Sequence, residues 1–132
     1  MFKCVDHIVV AVKDLDAAVG RYETVYNTKV SERRDNAAAG MKMAFFRFAD
    51  ASFVELVSNL GDQGPIAKRL NDLGEGVHLV AMKVDNLEKT VAELREKGIR
   101  LVGDPGPGKE IKGQIFVHPS VTGGVLTQLV QR

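Results

Sequence analysis

VDHIVVAVKDLDAAV (residues 5–19) and GVHLVAMKVDNLEKTV (residues 76–91) follow one plan: an apolar β-branched run, a short polar break, then apolar residues at helical spacing. In the first stretch, residues 4–12 are short and apolar enough to predict a strand buried on both faces. Asp14 is placed to cap a helix carrying Leu15, Ala18, Val19, Tyr22 and Tyr26 on one side. In the second, residues 77–84 read as a strand and Asn86 as the cap. Leu87, Val91 and Leu94 form the buried stripe of a helix that Gly98 ends. Leu15 to Leu87 is a step of 72, and SFVELV (52–57) meets VLTQLV (125–130) at a step of 73. Two nearly equal steps so far apart in the chain point to one supersecondary unit used twice.

Outward from these stretches, three strand-like segments follow the first helix, at residues 28–34, 42–48 and 52–58. Ala49-Asp50-Ala51 makes the tight turn between the last two. Gly64-Pro65 opens a short helix with Ile66, Leu70 and Leu73 on one side, and Gly74 stops it. Further strands are expected at 100–102, 114–118 and 124–131. The prediction is an α+β fold built from two βαβββ modules. The whole chain, residues 1–132, is then one domain: module one over about 1–60, a linker helix at 65–73, and module two over about 76–131.

The 132 residues suit one domain with a real core. Eighteen basic against seventeen acidic side chains leave a net charge of +1, which argues against a nucleic-acid or membrane-surface partner. A single cysteine, Cys4, excludes an internal disulfide and a cysteine-rich zinc site. No apolar run approaches the ~20 residues of a membrane span, and the first strand starts too early to leave room for a signal peptide. The expectation is a cytoplasmic protein that takes a small-molecule substrate or ligand.

DHIVVAVKDLDAAV, SFVELVS, GPIAKRLNDLGEGVH, VDNLEKTVAELREKGIRL and IFVHPSVTGGVL run in unbroken order from the first strand to the last. Together they resemble the vicinal oxygen chelate superfamily of glyoxalases, bleomycin-resistance proteins and extradiol dioxygenases, nearest its methylmalonyl-CoA epimerase branch. The resemblance implies that the two βαβββ modules form one cupped, barrel-like mixed sheet, with a divalent metal (Co, Ni, Zn or Mn) on the concave face, one ligand from each of four strands, and a homodimer. Carried over residue by residue, the ligands are His7, Glu55 and Gln128, and the fourth position is Leu79, which cannot bind metal. Gln128 is a neutral, weaker donor than a carboxylate. His78 is next to Leu79, but neighbours on a strand face opposite ways, so only a bulge would bring it in.

The family chemistry is formation of a metal-stabilised enolate from a 2-methyl-3-oxo thioester, with a proton removed on one face and returned on the other. Glu55 and Gln128 are the candidate catalytic positions, and Met43 stands where some epimerases have a glutamate. Neither Met43 nor Gln128 can carry a proton. Lys112 and His118, with Met43, are the substrate-binding candidates. Ser120 replaces the lysine of a His-Pro-Lys segment, which removes one phosphate contact. Gly103-Asp104-Pro105-Gly106-Pro107-Gly108-Lys109 imitates a phosphate-binding loop, but Glu110 replaces the magnesium-binding hydroxyl and two prolines remove backbone donors. It reads as a loop over the cup. Three functions follow: an epimerase-like metalloenzyme, a metal-free ligand-binding protein of the resistance type, and a metal-independent lyase or isomerase using Glu55 or His7 as base.

Overall fold

The computed structural model describes all 132 residues. The order is β1 (Phe2–Ala11), α1 (Leu15–Tyr26), β2 (Glu32–Asn36), β3 (Met41–Arg47), β4 (Phe53–Asn59), α2 (Pro65–Leu73), β5 (Gly76–Val84), α3 (Leu87–Glu96), β6 (Leu101–Val102), β7 (Ile115–Val117) and β8 (Thr127–Gln131). Two compact units share these elements. One comprises residues 7–78, the other residues 79–132 together with residues 1–6.

In the unit of residues 7–78 the strand order is β2-β3-β4-β1. β1 runs parallel to β4, which is antiparallel to β3, which is antiparallel to β2. Asp14 caps α1 as its spacing predicts, its carboxylate accepting from the Ala17 N–H at 3.1 Å. Asn27 takes the left-handed C-cap conformation at φ 52°, a residue type that tolerates it. Leu15, Ala18 and Val19 of α1 pack on Ala44, Phe46 and Leu56 of the sheet, with Tyr22 and Tyr26 at the margin. Tyr26 meets Phe46 edge-on, the ring centroids 5.6 Å apart. Helix α1 therefore covers one face of this sheet, and alternation sends the intervening side chains to the other.

The β3–β4 turn falls where expected. The Phe48 N–H donates to the Ser52 carbonyl and the Ala51 N–H to the Phe48 carbonyl. Asp50 accepts from both the N–H and the hydroxyl of Ser52. Ala51 takes φ 72°, which favours glycine. The 37–40 and 60–64 loops cross so closely that a Cβ on Gly64 would lie 2.7 Å from the Ala39 carbonyl oxygen.

In the other unit the order β5-β8-β7-β6 repeats the plan of β1-β4-β3-β2, again with one parallel pair and two antiparallel ones. Asn86 caps α3 by accepting from the Lys89 N–H at 3.0 Å. Val91 packs with Ile115, Val117 and Leu129, flanked by Leu87 and Leu94. The first residues of β1 are tied into this unit. The Met1 ammonium meets Asp85 at 2.7 Å, and Arg132 Nε donates to both oxygens of the buried Asp6.

The α+β class and the doubled βαβββ unit are as the sequence predicts. Two details differ. The strand expected at 4–12 starts at Phe2, and its residues 2–5 are exposed, so it is buried only from Asp6 onward. The segment expected to start at residue 28 becomes a strand only at Glu32. Before it, the Thr28 N–H bonds back to the Glu23 carbonyl and the Val30 N–H to the Glu23 carboxylate, so the helix end holds these residues.

Candidate active site

Residues paired across neighbouring strands project to the same face of a sheet. The register places His7, Phe53 and Arg47 in one row, then Val9, Glu55, Phe45 and Glu32, then Ala11, Val57, Met43 and Arg34. The alternate residues, among them Ala44, Phe46 and Leu56, lie under α1. His7, Glu55 and Met43, three of the sequence candidates, thus share the face that α1 leaves uncovered.

That face carries a column of rings and guanidinium groups. The His7 ring, only 6% exposed, stacks on Phe53 with centroids 4.3 Å apart and planes 10° off parallel. Arg47 sits 5.1 Å from the centre of Phe53 and 5.2 Å from that of Phe45, and Arg34 lies 4.7 Å over Phe45. Glu32, paired with Phe45, accepts from Arg47 Nη2 at 3.1 Å and lies 3.6 Å from Arg34 Nε.

Glu55 occupies the middle row, half-buried beside Phe45. Burial pushes its carboxyl up to about 7, against the opposing pull of the Arg34 and Arg47 charges. Desolvation wins because both guanidinium groups are well exposed, so water screens their attraction. The result is a carboxyl that changes protonation state near neutral pH on a face shared with aromatic rings, two guanidinium groups, the Glu32 carboxylate and aliphatic side chains.

The other candidates lie in the second unit or at its margin. Gln128 pairs with Ala81 and Phe116, on the face opposite Leu129 and Ile115, and so away from α3. Leu79 is buried at 8% exposure. Its neighbour His78 belongs with residues 7–78, where burial, then the Arg69 charge, lowers its pKa and favours the neutral imidazole. Lys112 is exposed between β6 and β7. His118 Nδ1 accepts from the Ser120 N–H at 3.0 Å and lies 2.7 Å from its hydroxyl, so Ser120 anchors the ring.

The loop that imitates a phosphate-binding motif has no helix after Lys109, and such a loop needs one to aim its N–H groups. Its Asp104 carboxylate instead takes a two-pronged grip from Arg95 of α3, Nε–H to Oδ2 at 2.7 Å, and accepts from the Gly106 N–H. Arg95 holds that carboxyl at about 2, well below its ordinary 3.8.

Sequence reading missed Arg34, Arg47 and Glu32. They alternate with other side chains along β2 and β3, but charged residues at alternate positions also describe a solvated edge, and only the register separates the two.

The donor set can be tested against a divalent metal. His7 and Glu55, in adjacent rows of one face, are two of the donors that such an ion would take. Nowhere in the chain do three or more His, Cys, Asp or Glu side chains gather at one point. Catalytic sites for such ions commonly take three protein ligands. His7 and Glu55 are two of the donors that such a site needs, and Gln128, whose amide oxygen is the third candidate, belongs to the other unit.

The family described as the Glyoxalase/Bleomycin resistance protein/Dioxygenase superfamily matches residues 6–117. The mitochondrial methylmalonyl-CoA epimerase of Bos taurus is 37% identical over 129 residues, 96% of this chain and 73% of that protein. The ethylmalonyl-CoA/methylmalonyl-CoA epimerase of Cereibacter sphaeroides is 31% identical over 130 residues, 96% of each chain. Among solved structures, a Streptomyces coelicolor methylmalonyl-CoA epimerase variant in complex with 2-nitronate-propionyl-CoA matches with a TM-score of 0.81 and 31% identity. The match covers 99% of this chain and 98% of that one. The chain belongs to the glyoxalase/bleomycin resistance/dioxygenase superfamily. Within it, all three of these similar proteins are methylmalonyl-CoA epimerases.

Proposed function

We propose that residues 1–132 act as one domain with an epimerase-like activity. The substrate is a CoA thioester with an acidic α C–H, and Glu55 carries the proton. The observation behind this reading is the Glu55 carboxyl, half-buried on the face away from α1 and pushed up to about 7. Ionised, it takes the α proton, and the electrons of the broken C–H bond pass into the enolate. Protonated, it gives a proton back to carbon. A group whose pKa lies near the working pH supplies both forms in quantity. The names of the relatives, methylmalonyl-CoA and ethylmalonyl-CoA epimerases, support the substrate class.

A divalent metal held by His7 and Glu55 would supply positive charge to the thioester oxygen. The test is α-proton exchange of methylmalonyl-CoA in D2O, followed by proton NMR, with wild type and Glu55→Gln. Wild type exchanges and the variant loses at least ~100-fold in rate, the lower range for losing a general acid–base group. Equal exchange by both proteins sinks the role given to Glu55.

A second reading has its own support. Met43 shares the face with Glu55 and cannot carry a proton, and the other carboxylate of that face, Glu32, is paired with Arg34 and Arg47, whereas inversion calls for a proton carrier on each side of the substrate. On this reading the protein binds the thioester without turning it over. Tight binding with no exchange in wild type is its signature.

A further inference from the structure

We propose that Arg34 and Arg47 form a clamp for the free carboxylate of a malonyl-type thioester, so that guanidinium groups supply the positive charge for its anionic end. The inference deepens the function proposed above and rests on Glu55 as proton carrier for what happens after binding.

Three features carry it. The two arginines lie in the rows on either side of Glu55, and both guanidinium groups lean over the one ring, Phe45, that pairs with Glu55. They are held in place but remain accessible. Phe45 supports them from below and Glu32 from the edge strand, while their side chains stay 57% and 46% exposed. Glu32 is the carboxylate in ion-pair contact with both, and Glu55 in the middle row feels both charges without touching either. A carboxylate brought by a ligand would be a second one in direct contact with the pair.

The chemistry suits a dicarboxylic thioester better than a simple one. A guanidinium presents its N–H groups in a flat fork that matches the two oxygens of a carboxylate. In a malonyl-type thioester that carboxylate is bonded directly to the α carbon. Seating it between the arginines therefore holds the α C–H within reach of the middle row, where Glu55 stands. The same guanidinium groups would donate to the oxygens on which negative charge grows as the proton leaves. A simple acyl thioester offers nothing for the clamp to grip.

The test is binding by isothermal titration calorimetry, with methylmalonyl-CoA and propionyl-CoA as the two probes. It uses wild type, Arg34→Gln, Arg47→Gln and the double variant, each with and without EDTA. Thermal unfolding of each variant checks the fold, and Arg34→Gln alone, on the exposed edge strand, serves if the double variant is unstable. Wild type should prefer methylmalonyl-CoA by at least ~10-fold, about the worth of one charge-assisted hydrogen bond. Each single variant should reduce that preference and the double variant abolish it, with propionyl-CoA affinity unchanged and EDTA without effect. A preference that survives the double variant, one that vanishes with EDTA, or failure of wild type to bind either thioester overturns the clamp. Glu55→Gln separates the two proposals. It should keep the binding preference while losing exchange. A wild type that shows the preference without exchange leaves the clamp standing and retires the proton carrier.

Discussion

Replacing Glu55 by Gln should change how stability depends on pH in a way that isolates this one carboxyl. In the folded protein the group titrates near 7, and in the unfolded chain it returns to about 4.5. Between those values the folded state holds a proton that the unfolded state has lost, so stability falls as pH rises through the window. Below about pH 4.5 the full contribution is present, and above about 7 it is gone. At 1.36 kcal/mol per tenfold change, the difference is worth roughly 3 kcal/mol, and residual solvent contact brings the expectation to about 2–3 kcal/mol. The assay is urea unfolding of both proteins at pH 5 and pH 8.5, read as the difference between them so that every other titrating group cancels. Wild type should lose about 2–3 kcal/mol more than Glu55→Gln on going to the higher pH. At pH 8.5 the variant should be the more stable protein. Parallel loss in both proteins would mean that Glu55 is ionised at ordinary pH, which removes the physical basis of the proposed chemistry.

Three further outcomes follow from the packing. Asp104, held at about 2 by Arg95, contributes stability that is full above its ordinary 3.8 and lost as pH falls through 2. Asp104→Asn should cost on the order of 1–2 kcal/mol at pH 7 and flatten acid unfolding between pH 4 and 2; a curve that stays steep refutes the assignment. Gly64→Ala should destabilise by about 2–3 kcal/mol in chemical denaturation, since φ 101° and the Ala39 carbonyl both oppose a methyl group, and a neutral result would show that the loop crossing yields. Phe46→Ala, at a fully buried position under α1, should cost about 3–5 kcal/mol; less than 1 would mean the helix repacks.

What could be read in the sequence was local or repeated. Asp14 and Asn86 cap their helices because a short acceptor stands ahead of an apolar helical stripe, a signal that needs no partner. The matching strand orders of the two modules were legible because one pattern occurs twice. The start of β2 was hidden, since Thr28 and Val30 look like strand residues until Glu23 is seen to hold their N–H groups. The exposed start of β1 was hidden for a related reason: a β-branched run says that a strand forms without saying what covers it. On the candidate face, alternation alone sets Phe53, Glu55 and Val57 together. Bringing Arg34 and Arg47 over Phe45 requires two strand registers at once, and neither register is written in a single segment.

The division of β1 between two compact units bears on how the chain reaches its native state. Residues 1–6 belong with residues 79–132, and Arg132 Nε closes on Asp6 across 126 positions of sequence. A ribosome delivers Asp6 long before Arg132, so a half-made chain carries that acid in a strand without this guanidinium. The unit of residues 7–78 has no such wait, because its sheet order and helix α1 all lie within one continuous stretch. Assembly should therefore run in two beats, an early one on local contacts and a late one that closes the ends, the slower for its long loop. Stalled or truncated translation products would then keep the first unit and lose the second.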